Sequence, residues 1–487
     1  MLKYVSTRGE APKVTASQAI LNGIAPDGGL YVPEVWPTLT LDWEKLKNQT
    51  YQEIATQVFD GFFDDFSVAE IDHIIAKAYG NQWAQRDVVT YHQEDQLTYM
   101  ELFHGPTLAF KDVALQALPH LMTTAAKKHQ ITDTMVILTA TSGDTGTAAM
   151  RGFGDVPQTE IVVFYPEVGV SEMQRQQMQT EAAKNAHVIA ITGNFDDAQK
   201  AVKSLLSEKE LVADLAAHQQ RFSSANSINI GRLVPQIVYY IHAYAQLVKQ
   251  GQVQAGEPVS IVVPTGNFGN VLAAYYASQI GLPVGQFVVA SNENHVLTDF
   301  FQTGRYDRQR AFKVTNAPAM DILVSSNLER LLYFASGRNT AEVKRYMQDL
   351  ADKGAYEVTP ETRRQLSQFT AGFATQEQVI KTIQDVFDQT QYTIDPHTAV
   401  GRFVLSEQAI SGPTLLAATA SPYKFADTVL TALGAQAETG YQGLAQLAQL
   451  TQTTIPAAVE TLFAQPILHR QVITPAQIEK TFRQELL

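Results

Sequence analysis

Cysteine is absent from the 487-residue chain, which excludes a disulfide scaffold, thiolate metal sites and a cysteine nucleophile. No metal site is expected. Positive charge is in deficit, with 36 Lys and Arg against 49 Asp and Glu and a formal net charge of −13. A chain of pI about 5.3 suits polyanions poorly, so neither nucleic acid nor an anionic membrane surface is expected as a partner. Charged residues of both signs make up only 17% of the chain and hydrophobic residues 45%, a balance that favours packed cores over disorder. Long apolar runs are missing too. Residues 258–292 hold no Asp, Glu, Lys or Arg, but Pro264, Gly266, Asn267, Gly269 and Asn270 break that run early, and Gly281 and Pro283 break it later. No stretch of about 18 apolar residues remains to span a bilayer. Residues 1–14 carry Lys3, Arg8, Glu10 and Lys13 with no apolar centre, so no secretory leader is expected and the expected location is the cytoplasm.

What is present is a recurring order: a short β-branched run, a Gly-rich turn, then a stretch with helical spacing. It occurs at 135–141 before Ser142-Gly-Asp-Thr-Gly146, at 259–263 before Pro264-Thr-Gly-Asn-Phe-Gly-Asn270, and at 414–418 before Thr419-Ala-Ser-Pro422. Further strand-like runs lie at 160–165 and 186–192. Wholly apolar strands alternating with helices predict an α/β fold of parallel sheets covered on both faces. In such folds ligands lie at the carboxyl ends of the strands. Three parts are expected: an N-terminal domain 1–95, a smaller α/β domain 96–225, and a larger α/β domain 226–487 with a helix-rich insertion at 296–395.

Four segments could carry chemistry. In Glu101-Leu-Phe-His-Gly-Pro-Thr-Leu-Ala-Phe-Lys-Asp112, Lys111 is flanked by apolar residues. Burial would give it the neutral amine that attacks a carbonyl; otherwise it is a helix lysine reaching water. Pro264–Asn270 is either a phosphate cradle of backbone N–H groups at a helix N-terminus or an ordinary turn. It is neither a Walker loop nor a complete dinucleotide fingerprint. Thr141-Ser-Gly-Asp-Thr-Gly146 offers hydroxyls and amides suited to a carboxylate, or simply caps a helix. Asn226-Ser-Ile-Asn-Ile-Gly-Arg232 offers amides and a guanidinium suited to a phosphate, or a solvated turn. A Schiff-base lysine, a phosphate cradle, a carboxylate turn and a second oxyanion site together point to pyridoxal 5′-phosphate chemistry on an anionic amino acid.

These segments also carry a resemblance. With Tyr4-Val-Ser-Thr-Arg-Gly9, Asp27-Gly-Gly-Leu-Tyr-Val-Pro33, Ala319-Met-Asp-Ile-Leu-Val-Ser-Ser-Asn-Leu-Glu-Arg330 and Thr419-Ala-Ser-Pro-Tyr-Lys-Phe425, the chain is similar to the threonine synthase family, in its longer bacterial and fungal form. That family lies within the fold-type-II, tryptophan synthase β-like pyridoxal-phosphate enzymes. The resemblance implies that Lys111 carries the cofactor and shuttles protons. It implies that Gly266, Asn267, Phe268, Gly269 and Asn270 wrap the cofactor phosphate, and that Thr419 meets the pyridine nitrogen. Thr141, Ser142, Asp144 and Thr145 would take the substrate carboxylate, and Asn226 and Arg232 the substrate phosphate. Two positions depart from the usual pattern: Asp144, often Asn in shorter relatives, and Ser421, where His is more usual. The implied reaction turns O-phospho-L-homoserine and water into L-threonine and phosphate by γ-elimination and β-addition, in a monomer or homodimer. A related lyase such as a threonine dehydratase is the alternative.

Overall fold

The computed structural model describes residues 1–141 and 143–487, with the backbone alone for Asp196. Two sheets organise it. Six strands lie in the order Phe369–Phe373, Val284–Ser291, Val259–Pro264, Thr414–Ala418, Leu97–Glu101 and Thr90–Glu94. Neighbours are parallel except for the antiparallel pair at the Thr90–Glu94 edge. The second sheet runs Val472–Ile473, Ala186–Ile191, Thr159–Pro166, Thr134–Ala140, Gln220–Ser223, all parallel. Every residue of Val259–Pro264 and of Thr414–Ala418 is buried, as β-branched and small apolar side chains covered on both faces require. The charge-free run 258–292 is thus two neighbouring strands and the helix Gly269–Gln279 between them.

The N-terminal helices Tyr51–Phe62 and Val68–Ala78 each start at a capping box, Thr50 with Glu53 and Ser67 with Glu70. The first buries Ile54, Val58, Phe59 and Phe62 and packs on the helix Pro235–Lys249, of which most residues are buried. The N-terminal part is therefore fastened to the larger α/β core.

The sheets run across the expected boundaries. Leu97–Glu101 pairs with Thr414–Ala418 in the six-stranded sheet, although it lies within 96–225. Val472–Ile473 joins Ala186–Ile191 in the five-stranded sheet, although it lies within 226–487. Segment 296–395 holds the helices Val296–Thr303, Leu328–Ala335, Thr340–Lys353 and Gln376–Thr390. It also supplies the sheet-edge strand Phe369–Phe373, so it is woven into the larger sheet. Among the described residues no helix is long and apolar enough to cross a membrane.

Candidate active site

Carboxyl ends of parallel strands meet between the two sheets, and most of the predicted residues lie there. Lys111 opens the helix Lys111–Leu115. Its approach segment is zipped to the turn leaving Thr414–Ala418: Phe110 N–H donates to the Thr419 carbonyl at 2.8 Å, and Ser421 N–H to that of Leu108 at 3.0 Å. Asp112, fully buried, accepts from the Thr107 N–H at 2.8 Å and its hydroxyl at 2.7 Å, which fixes the bend. The Lys111 side chain is 14% exposed, with Nζ 3.9 Å from Asp144 Oδ2. Burial pushes the amine down to about 8; Asp144 opposes this, and the Arg232 and Lys424 cations reinforce it. The amine therefore does not reach out to water.

The Gly-rich turn leads from Val259–Pro264 into Gly269–Gln279. Phe268 takes the left-handed conformation (φ 61°) as the residue before that helix, and no side chain caps it. Among the described residues, the N–H groups of Gly266 to Asn270 donate to nothing. A free row of donors at a helix N-terminus is an anion site. A Cβ on Gly266 would stand 2.9 Å from the Ala319 carbonyl, so only glycine lets these backbones pass. The facing turn is itself fastened: Ala319 N–H donates to His397 Nε2 at 3.1 Å, and His397 Nδ1 donates to Asp395 at 2.6 Å. Asn327 holds the Asn267 carbonyl through its own N–H and side chain. The wholly buried Arg330 ties Asn327 Oδ1 (2.5 Å) to the carbonyls of Ile228 (2.6 Å) and Tyr31 (2.9 Å). Arg330→Met is expected to cost about 3 kcal/mol or more, because buried acceptors lose a charged donor; urea denaturation would read this out, and an unchanged midpoint would refute it.

The turn after Thr134–Ala140 is built by Thr141, whose hydroxyl oxygen accepts from Gly143 N–H and Gly146 N–H, both at 2.9 Å. Thr145 is half-buried in the first turn of Asp144–Phe153. Ser142 lies outside the described residues. Asp144 differs from its expected role. Burial alone would raise its carboxyl, but the Lys424 and Lys111 ammonium groups outweigh that and hold it well below the ordinary carboxylate range. An anion there repels a second carboxylate, so Asp144 is placed as a partner of the two amines.

Arg232 is buried in the helix Ile230–Leu233, and its guanidinium donates to the Ala225 carbonyl at 2.9 Å. Its Nε has no partner among the described residues. Asn226 stays exposed at the turn, so the expected pair is split between pocket and surface. Thr419 is a buried residue, and its hydroxyl has no described hydrogen-bond partner. Asn270 accepts from the Tyr240 hydroxyl through Oδ1, which leaves its Nδ2 buried and unpaired. Sequence reasoning gives no role to Lys424, Gln174 or the Asp395–His397 pair. For the last, Asp-Pro-His-Thr at a helix start is an available signal, since Asp395 caps Pro396–Ser406.

Unpaired loop N–H groups, a turn open only to glycine, the unpaired Thr419 hydroxyl and a desolvated lysine fit pyridoxal 5′-phosphate. Comparison with known proteins agrees. The family model "Threonine synthase N terminus" matches residues 3–79, and "Pyridoxal-phosphate dependent enzyme" matches residues 92–366. Threonine synthase of Pseudomonas aeruginosa is 39% identical over 441 residues, covering 88% of this chain and 90% of that protein. Human threonine synthase-like 1 is 37% identical over 454 residues and 88% of this chain; the match spans only 60% of that longer protein. A crystal structure of PLP-bound threonine synthase from Brucella melitensis superposes with a TM-score of 0.89 at 36% identity, over 99% of both chains. A desolvated lysine, a Gly-rich turn with free N–H groups and an N-terminal part held in place by Arg330 are thus set in a matching chain from end to end, and the protein belongs to the threonine synthase family of pyridoxal-phosphate-dependent enzymes.

Proposed function

We propose that this protein converts O-phospho-L-homoserine and water into L-threonine and phosphate. The observation that carries the reading is the pairing of a desolvated Lys111 with a second buried cation, Arg232, that has no carboxylate partner among the described residues. A lyase acting on an unphosphorylated amino acid has no use for that guanidinium. The cofactor, when bound, supplies an electron sink that acidifies the protons on the substrate's α- and β-carbons. Gly266, Asn267, Phe268, Gly269 and Asn270 would hold its phosphate through backbone N–H groups, and the Thr419 hydroxyl would serve its ring nitrogen. Lys111 Nζ removes and returns protons on one face of the substrate, and Asp144 Oδ2 orients it. Thr141, Ser142 and Thr145 receive the substrate carboxylate. Arg232 holds the substrate phosphate and stabilises the charge that grows there as it leaves, with Asn226 at the pocket rim. Every group named comes from one chain, which suits a monomer or a homodimer.

The test is incubation of the purified, cofactor-loaded protein with O-phospho-L-homoserine. Phosphate and L-threonine are expected in equal amounts. Failure to release phosphate overturns the proposal. A 2-oxo acid formed from threonine itself would make the protein a dehydratase.

A further inference from the structure

Lys424 sits in the turn Pro422–Phe425, which follows the central strand Thr414–Ala418, and its side chain is 0% exposed. An isolated ammonium so deep would be costly; this one is enclosed. Its Nζ lies 3.0 Å from Asp144 Oδ1 and donates to the Thr107 carbonyl at 2.7 Å. Gln174 Nε2 donates to the same Oδ1 at 2.8 Å. Asp144 Oδ1 is therefore engaged twice, and Oδ2 is the oxygen left facing Lys111 at 3.9 Å. One carboxylate serves two amines, one through each oxygen. The three partners come from different places: Lys424 from the end of the six-stranded sheet, Asp144 from the five-stranded sheet, and Lys111 from the segment that also carries Thr107.

We propose that Lys424 is a positioning residue for Lys111. Together with Gln174 it fixes the Asp144 carboxylate so that Oδ2 orients the Lys111 amine, and its charge keeps that carboxylate from trapping Lys111 as an ammonium. The inference rests on Lys111 being the cofactor-bearing lysine. The charges facing Lys111 act in opposite directions: Asp144 favours its protonated form, while Arg232 and Lys424 disfavour it. His397 also faces Asp144, and Asp112 faces Lys424.

The experiment is acetylation of Lys111 by acetic anhydride in the cofactor-free full chain, followed against pH by peptide mass spectrometry. Lys424→Gln keeps a donor for the Thr107 carbonyl and removes the charge. It is expected to cut Lys111 reactivity near pH 8 by about tenfold, because the unopposed Asp144 carboxylate then holds more of the amine protonated. Lys424→Arg should restore the wild-type profile to within about twofold, and in an Asp144→Asn background the Lys424→Gln effect should shrink. A Lys424→Gln profile that overlays the wild type, or a Lys424→Gln effect of equal size with and without the Asp144→Asn substitution, overturns the inference. Should Lys424→Gln not fold, Asp144→Asn alone decides: it must raise Lys111 reactivity, and no change refutes the coupling. Wild-type phosphate release alongside an unmoved Lys424→Gln profile sinks this inference alone. Intact coupling without phosphate release sinks the proposed reaction instead.

Discussion

Lys111→Ala is expected to lower turnover by about a thousandfold or more, the scale of a missing nucleophile and proton carrier, and to abolish the visible absorption of the lysine-bound cofactor. The fold should survive, because the substitution removes a desolvated amine and little packing. Turnover and absorbance together with a thermal scan check this, and retained turnover would refute the role. The same amine sets a pH dependence. Its neutral fraction rises with pH through about 8, so capture of the cofactor by the empty protein should speed up about tenfold per pH unit below that value and level off above it. A rate still climbing towards the ordinary 10.5 would mean that burial has not lowered the amine.

The second large effect runs in opposite directions for activity and stability. Arg232 is 5% exposed, and burial pulls its guanidinium down to about 10. No carboxylate pairs with it among the described residues. An uncompensated buried charge costs several kcal/mol, whereas the single bond to the Ala225 carbonyl returns about 1 kcal/mol. Arg232→Met should therefore raise the melting temperature of the ligand-free protein while lowering kcat/KM for O-phospho-L-homoserine about a thousandfold. Arg232→Lys should not rescue it, since an ammonium lacks the fork that grips two phosphate oxygens. A melting temperature that falls while turnover persists would make Arg232 a structural residue.

Legibility in the sequence followed apolar continuity. The runs at 135–141, 160–165, 186–192, 259–263 and 414–418 announce strands because both their faces are buried, and each lies within about two residues of its observed bounds. Leu97–Glu101, Gln220–Ser223 and Phe369–Phe373 mix polar and apolar positions and have no such signature; partners distant in sequence make them strands. Residues 43–62 form two helices rather than one, Trp43–Leu46 and Tyr51–Phe62, because Thr50 begins a new capping box. In the site, the Gly-rich turn is legible because glycine has few reasons to recur there. Lys424 is not. Its burial depends on Asp144, which lies 280 positions earlier in another sheet, and no local pattern encodes that meeting. Asp144 misleads for the same reason: a Ser-Gly-Asp-Thr turn gives no hint of two amines above it.

The short strand Val472–Ile473 has a consequence for the order in which this chain can fold. It completes the edge of the five-stranded sheet, with the Thr192 hydroxyl bonded to the Ile473 carbonyl across 281 positions. While the ribosome is still making the intervening sequence, Ala186–Ile191 has an open row of backbone donors and acceptors. Open strand edges invite pairing with other chains, and contacts this distant in sequence form slowly. Synthesis of this protein therefore includes a long interval in which one edge of the smaller sheet stands unpaired.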